Sequence, residues 1–199
     1  MNRRCVIIGG TFNPVTVAHI KMGQAAKELL PDADIFFVPS NMEYMKEWKD
    51  IDSDAIFWSK SRLEFLELAI EGNEDFKVSD IEITGLVDGR SYNTVQYFLA
   101  SYEEVYWGMG ADKLTEVERW YRAEDFVNAA KILLFSRDNI VIDFNSSDFL
   151  REHKDRFREL MIKLPGDISS SKIREEYASG ELASVKHMLD ERVYKKLID

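Results

Sequence analysis

The amino-acid sequence predicts an α/β fold built on a doubly wound, mostly parallel sheet, with a helical C-terminal portion. Short apolar runs rich in β-branched and aromatic residues alternate with segments of helical period, which is typical of helices packed on both faces of one sheet. Neither an internal repeat nor a Pro/Gly/Ser-rich linker interrupts this alternation. We therefore expect a single domain over residues 1–199, with the helical C-terminal part beginning at about residue 166.

Six segments have the length and composition of strands. In chain order they are Cys5–Ile8, Asp34–Val38, Phe76–Ile83, Glu103–Trp107, Lys131–Phe135 and Met161–Leu164. Six others have helical period, and a proline or glycine ends the first two. In chain order they are Thr16–Leu30, Ile56–Ile70, Tyr92–Tyr102, Asp148–Leu160, Ser171–Ala178 and Val185–Leu197. Because such sheets bind ligands at the carboxyl ends of their strands, the residues just after each strand are the first candidates for function.

The charge balance and the cysteine count restrict the function classes. The 199 residues include 36 acidic and 26 basic side chains, and the formal net charge of -10 would repel a phosphodiester backbone. One cysteine, Cys5, excludes an internal disulfide framework, and the apolar run near the N-terminus is too short for a signal peptide or a membrane span. We expect a cytoplasmic protein that binds neither nucleic acid nor membranes.

The segment GGTFNPVTVAHI, residues 9–20, is the first candidate for a binding site. Gly9 and Gly10 follow the first predicted strand, where missing side chains allow a tight turn and close approach of a ligand to backbone N–H groups. Thr16 is well placed as a helix N-cap, and His19 lies over the same helix end, which favours phosphate. An isolated T-x-x-H is more often a cap beside a surface histidine; the strand and glycines before it favour function here.

The segment ISSSKIREE, residues 168–176, is the second candidate. Lys172 and Arg174 fall in the first turn of a predicted helix, where cations are unfavourable beside the helix dipole. A bound phosphate would remove that conflict, since the serine hydroxyls and Arg174 could all donate to it. From the residues alone, an ordinary solvated helix start is an equally good interpretation.

Together these segments resemble the motifs of the nicotinate/nicotinamide mononucleotide adenylyltransferases, in the nucleotidyltransferase superfamily with [H/T]-x-G-H and I-S-S-T-x-I-R signatures. Thr16–His19 corresponds to the first motif and Ile168–Arg174 to the second. Further pieces follow in the family's order over nearly the whole chain: Lys46, the helix Ser61–Phe65, Gly89–Tyr92, Gly108–Asp112, Trp120, Tyr121 and Arg137.

The chain also departs from the family pattern. Asn13, Thr16 and Ala18 stand where bacterial members usually have Asp, His and Gly, although N-P-x-T-x-x-H is similar to eukaryotic-type members. The segment Ser91–Thr94 approximates the family's S-Y-T-x-x-T, and the residues before Lys46 lack its P-P-H.

The resemblance implies a Rossmann-like adenylyltransferase in which the 5′-phosphate of a pyridine mononucleotide attacks the α-phosphorus of ATP and releases pyrophosphate. Catalysis would rest on positioning and on donors to the phosphates. The implied catalytic residues are His19, Thr16, Arg174 and Lys46. The implied ATP-binding residues are Gly9, Gly10, Thr11, Phe12, Asn13, Gly110, Asp112, Ser170 and Ser171. The implied mononucleotide-binding residues are Ser91, Tyr92, Thr94, Trp120 and Tyr121.

Two of the implied roles compete with ordinary structural ones. Asp112 follows a predicted strand and could bind the adenosine ribose, and it could equally cap the next helix. Trp120 could stack on the pyridine ring, whereas aromatic pairs on helices more often belong to the core.

A Mg²⁺ ion is expected on the substrate phosphates, held by substrate oxygens and water rather than by a protein cage. His153 and His187 lie far apart without metal-ligand spacing, and Cys5 lies on an apolar strand, so we interpret all three as structural or surface residues.

Three other functions compete with this one. They are a phosphopantetheine adenylyltransferase, a nucleotide-binding regulator without turnover, and a nucleic-acid module of the H-I-G-H synthetase type. The net charge disfavours the last. The choice between nicotinate and nicotinamide stays open at this point. So does the oligomeric state, for which a homo-oligomer is possible.

Overall fold

The computed structural model describes residues 3–41, 59–137, 141–164 and 167–198. Six strands in these ranges form one sheet, and every neighbouring pair is parallel. The strands are β1 (Arg4–Gly10), β2 (Asp34–Pro39), β3 (Phe76–Val78), β4 (Glu104–Gly110), β5 (Lys131–Ser136) and β6 (Phe157–Met161). Their order across the sheet is β3-β2-β1-β4-β5-β6, so the chain winds outward in both directions from β1 and β4. The predicted doubly wound fold is confirmed.

Seven α-helices and three 3₁₀ segments lie within the described residues. The α-helices are α1 (Val17–Leu29), α2 (Ser59–Ile70), α3 (Ser91–Leu99), α4 (Ala123–Ala129), α5 (Asp148–Glu152), α6 (Ser170–Ala178) and α7 (Glu191–Ile198). The 3₁₀ segments are Ala111–Arg119, Lys154–Arg156 and Leu182–Met188. No helix in the described ranges is long and apolar enough to cross a bilayer.

Both faces of the sheet are covered, which explains why β1 is apolar on every residue from Cys5 to Ile8. Val6 and Ile8 point to a core cluster that includes α1, α2, α6 and α7, while Cys5 and Ile7 point to one that includes α3, α4 and α5. The C-terminal helices thus share the first cluster with the sheet. That residues 1–199 form a single domain stays a prediction.

Three predicted elements were wrong in extent. The predicted helix Asp148–Leu160 ends at Glu152, because residues 157–161 pair with β5 as the edge strand. This edge strand therefore lies before the predicted strand Met161–Leu164. The predicted strand Phe76–Ile83 ends at Val78.

The predicted helix Val185–Leu197 is also divided. Its first part is the 3₁₀ segment, and α7 begins after Asp190, whose carboxylate accepts from the backbone N–H of Arg192 at 2.9 Å. The sequence did not predict α4, and the first residues of predicted helix Ile56–Ile70 lie outside the described residues.

Candidate active site

A cavity of about 450 Å³ opens where the chain winds away from β1 on one side and β4 on the other. This is the position at which open parallel sheets bind ligands, because the loops after the two central strands diverge and leave a crevice. Thirteen predicted site residues line it: Gly9, Gly10, Thr11, Phe12, Asn13, His19, Ser91, Gly110, Trp120, Tyr121, Ser170, Ser171 and Arg174. Lys46 lies outside the described residues.

Thr16 and His19 interact through the start of α1. The backbone N–H of Thr16 donates to His19 Nδ1 at 3.0 Å, and the Thr16 hydroxyl lies 2.9 Å from the same nitrogen. Thr16 is the N-cap of α1, as predicted, and it is buried. Since Nδ1 accepts a backbone hydrogen, the proton of a neutral His19 ring is on Nε2, which leaves an N–H donor for a ligand.

His19 is held in its neutral form. Burial, together with the positive charge of Arg137, lowers the pKa of His19 to about 4. The ring also packs edge-on against Phe12, with ring centroids 4.9 Å apart. At neutral pH His19 is therefore a hydrogen-bond donor rather than a cation.

The two motif segments meet in space although they lie at opposite ends of the chain. Ser170 Oγ donates to the Pro14 carbonyl at 2.9 Å, and Arg174 Nη1 donates to the Asn13 carbonyl at 2.7 Å. Arg174 Nη2 also donates to Ser171 Oγ at 3.1 Å. The Asn13 carbonyl group thus relieves part of the predicted conflict between the Arg174 charge and the helix dipole.

Packing explains one of the two glycines in the first motif. A Cβ atom at Gly9 would lie 2.6 Å from the indole ring of Trp107, so glycine is required there by the neighbouring strand. At Gly10 a Cβ atom would lie 3.3 Å from the Phe12 ring, which is a tight contact. The sequence predicted that Gly9 allows a tight turn and close approach of a ligand, and the structure adds that Gly9 makes room for Trp107.

Arg62 is a fully buried cation that sequence analysis noted only as part of a helix. Its Nη1 donates to the carbonyl groups of Thr11 and Ser40, at 2.9 and 3.0 Å, and thereby joins the loops that follow β1 and β2. Burial lowers the pKa of Arg62 to about 10, so it stays charged at neutral pH. Its Nε and Nη2 have no hydrogen-bond partner among the described residues.

Glu82 is a second buried charge that sequence analysis missed, although an acidic residue within the apolar run DIEITG was a usable signal. Glu82 lines the cavity, and its carboxylate accepts from Thr94 Oγ1 at 2.6 Å. The predicted ligand residue Thr94 is itself fully buried and does not line the cavity. Burial raises the pKa of Glu82 to about 7, opposed by the hydrogen bonds it accepts.

The remaining predicted residues divide into wall and neighbouring positions. Ser91, Trp120 and Tyr121 form part of the wall, and Trp120 also packs on Phe126 with ring centroids 5.5 Å apart. Trp120 thus contacts the core and lines the cavity, and its stacking on a pyridine ring stays a prediction. Tyr92 is on α3 beside Ser91 but does not line the cavity.

Asp112 is exposed in the first turn of the 3₁₀ segment after β4. The N-cap of that segment is Gly110, so the alternative that Asp112 is a helix cap was wrong. A Cβ atom at Gly110 would overlap Asp112 Oδ1, which puts this carboxylate against the end of β4.

The chain is similar in sequence to known proteins over most of its length. The cytidylyltransferase-like family model matches residues 7–176. A probable nicotinate-nucleotide adenylyltransferase of Caldicellulosiruptor saccharolyticus is 31% identical, with 98% of this chain and 96% of that protein covered. The corresponding protein of Caldicellulosiruptor bescii is 29% identical, with 96% and 93% covered.

A solved structure gives the same fold. Plasmodium falciparum nicotinic acid mononucleotide adenylyltransferase, complexed with NaAD, superposes with a TM-score of 0.71 at 18% identity, covering 98% of this chain and 95% of that one. The chain thus belongs to the cytidylyltransferase-like family and, within it, to the nicotinate-nucleotide adenylyltransferases, as the sequence motifs indicated.

We expect the His19 ring to stay neutral and protonated on Nε2 from about pH 5.5 to pH 8, because burial and Arg137 disfavour the imidazolium. Long-range ¹H–¹⁵N NMR spectra recorded across this range test the expectation. With only 3 histidines in the chain, a His19→Asn variant assigns the signals. Titration of His19 near the ordinary histidine pKa, or a proton on Nδ1, would contradict the assignment.

We expect Glu82→Gln to flatten the dependence of stability on pH. Burial raises the pKa of Glu82 from 4.5 to about 7, so the folded protein binds more protons than the unfolded chain in this window and loses stability as pH rises through it. This pKa shift corresponds to about 3 kcal/mol. As pH rises through this window, the free energy of unfolding of the wild type should fall by about that amount relative to that of the variant. Urea unfolding at several pH values measures it, with the exposed cavity residue Glu116→Gln as control. Parallel wild-type and Glu82→Gln curves would contradict it.

Proposed function

We propose that this chain transfers the adenylyl group of ATP to nicotinate or nicotinamide mononucleotide, and releases pyrophosphate. The observation that carries the proposal is the meeting of Ser170 and Arg174 with the turn before α1, beside His19, in the crevice between β1 and β4. The names of the relatives favour nicotinate mononucleotide as the acceptor. The product would be a pyridine dinucleotide, a reaction of NAD biosynthesis.

The phosphate end of the cavity supplies donors to growing negative charge. One oxygen of the acceptor 5′-phosphate forms the new bond to the α-phosphorus, the bond from that phosphorus to the bridging oxygen breaks, and pyrophosphate leaves with its electron pair. We assign to His19 Nε2–H a donor role toward the ATP phosphates, and to Arg174, Ser170 and Ser171 the binding of the pyrophosphate end. We also assign to Lys46 a charge-supplying role.

A Mg²⁺ ion fits this set of residues as a substrate-bound ion. His19, Arg174 and the two serines are donors rather than carboxylates, so ATP oxygens and water would be its ligands. Within the described ranges, no group of three or more His, Cys, Asp or Glu side chains could hold a metal. The ion would neutralise charge on the phosphates.

The acceptor end of the cavity supports a flat, ring-bearing substrate. Ser91, Trp120 and Tyr121 line it, and an indole face is a favourable partner for an aromatic ring. We assign mononucleotide binding to these three. Tyr92, which does not line the cavity, and Thr94, which donates to Glu82, would contribute indirectly. That the chain does not bind nucleic acid stays a prediction, and its oligomeric state stays open.

Purified protein incubated with ATP, Mg²⁺ and each candidate acceptor should form pyrophosphate and a dinucleotide with a pyridine mononucleotide. Chromatography of the dinucleotide and a coupled pyrophosphate assay measure this. Phosphopantetheine is the control acceptor, since it lacks the ring that Trp120 would stack on. ATP binding without turnover on any acceptor would overturn the proposal in favour of a nucleotide-binding regulator.

His19→Ala should lower kcat by about 10²- to 10³-fold, because one preorganised donor to the reacting phosphates is lost. The variant also loses the Thr16–His19 contacts at the start of α1, so a stability loss of about 1 kcal/mol is expected and is measured by urea unfolding. His187→Ala, on the exposed surface, is the matched control. A folded His19→Ala protein with a near-normal rate would remove His19 from the chemistry.

A further inference from the structure

Two arginine–tyrosine pairs join the segments that form the acceptor wall of the cavity. The Arg90 guanidinium carbon lies 4.5 Å from the centre of the Tyr121 ring, and that of Arg122 lies 4.4 Å from the centre of the Tyr92 ring. The pairs are reciprocal, because each segment contributes one arginine and one tyrosine. We call the four residues the arginine–tyrosine clasp.

Both arginines are oriented by neighbouring carboxylates. Arg90 Nη1 forms an ion pair with Asp88 Oδ2 at 3.4 Å. The backbone N–H of Arg90 also donates to Asp88 Oδ1, at 3.1 Å. Arg122 Nε donates to Asp125 Oδ2 at 2.7 Å. Each guanidinium thus contacts both a ring and a carboxylate, while the two side chains stay partly exposed.

The backbone at Arg122 indicates that tertiary contacts select its position. Arg122 has φ 51° and ψ 48°, the left-handed region, although it is not a glycine. This conformation costs about 1 kcal/mol for an L-residue, and residues are held in it only where the surroundings compensate. The Arg122 side chain contacts the Tyr92 ring of the other segment and Asp125, three residues along its own segment.

The clasp residues are interleaved with residues of the cavity wall. Gly89 and Ser91 line the cavity on either side of Arg90, while Trp120 and Tyr121 line it just before Arg122. The two arginines therefore join these two wall segments from positions that do not line the cavity. A flat ring bound between the two segments depends on their spacing, because dispersion contacts fall off over fractions of an ångström.

We propose that Arg90 and Arg122 are positioning residues for the mononucleotide: by clasping Tyr121 and Tyr92 they hold the two wall segments at the separation that binds the acceptor ring. This inference rests on the proposed function insofar as the acceptor is a ring-bearing mononucleotide. Neither arginine lines the cavity, so they act through Ser91, Trp120 and Tyr121 and leave the phosphate end unchanged.

Steady-state kinetics on Arg90→Ala/Arg122→Ala test the proposal. Each half-exposed cation–π contact contributes a factor of roughly 2 to 5, so the KM for the mononucleotide should rise about 5- to 20-fold. The KM for ATP and kcat should stay within about twofold, since the clasp lies outside the phosphate end. Arg151→Ala, an exposed arginine paired with Asp148 on α5, is the matched control. Equal increases in both KM values, or none, would overturn the proposal.

A lysine variant separates the clasp from simple attraction of an anionic substrate. Arg90→Lys/Arg122→Lys keeps both charges but loses the planar guanidinium groups that stack on the rings. The KM for the mononucleotide should recover only in part, and the difference from wild type should persist in high salt, which screens exposed charges. Full recovery by lysine would assign the effect to charge and overturn the clasp.

Binding measurements keep this test independent of turnover. Calorimetric titration of nicotinate mononucleotide, in the presence of a non-hydrolysable ATP analogue, should show the same loss of affinity in Arg90→Ala/Arg122→Ala. A wild-type protein that binds the mononucleotide but forms no dinucleotide would overturn the proposed function alone. Unchanged affinity in the variant, or a wild-type protein that does not bind the mononucleotide, would overturn the clasp.

Discussion

The hydrogen bonds from α6 to the turn after β1 are the interaction on which the site depends. Arg174 and Asn13 are 161 residues apart, yet a 2.7 Å hydrogen bond joins them, and Ser170 binds the adjacent Pro14 carbonyl. These bonds hold Ser170 and Arg174 of one motif in the wall of the cavity that His19 of the other motif also lines. Because α6 also buries Ile173 in the core against the sheet, the same helix stabilises the fold and forms part of the cavity wall.

Two ionisable groups that line the cavity, His19 and Glu82, have shifted pKa values with opposing effects on stability. Folding lowers the pKa of His19 to about 4, which makes the folded state more stable as pH rises toward 6.5, whereas the raised pKa of Glu82 has the reverse effect over nearly the same window. Arg62 joins two loops from a fully buried position at the cost of its own hydration. Burying the Arg62 charge thus lowers stability but fixes the loop after β1, which lines the cavity.

The fold class could be predicted from sequence because a buried parallel strand has a local signature. Cys5–Ile8 is a continuous apolar run, and so is Ile132–Phe135 within the predicted strand Lys131–Phe135. Both predicted strands are observed, with bounds that differ by no more than two residues. Residues 157–161 failed this criterion because they form an edge strand, FRELM, whose side chains are mostly exposed or half-buried. Such a strand is selected by its pairing with β5, which is a long-range contact, and its sequence equally suits a helix.

The sequence by itself determined the motif residues and the family. Glycines after a strand, an N-cap threonine and a serine-rich helix start are local patterns, and neighbouring residues suffice to recognise them. The tertiary structure alone decided how those residues cooperate. It turned Nδ1 of His19 toward the helix start, placed Trp107 against Gly9, and buried Arg62 and Glu82 beside the cavity. These outcomes depend on packing between strands and helices distant in sequence, and the free energy of burying a charge is set by neighbours that no local pattern contains.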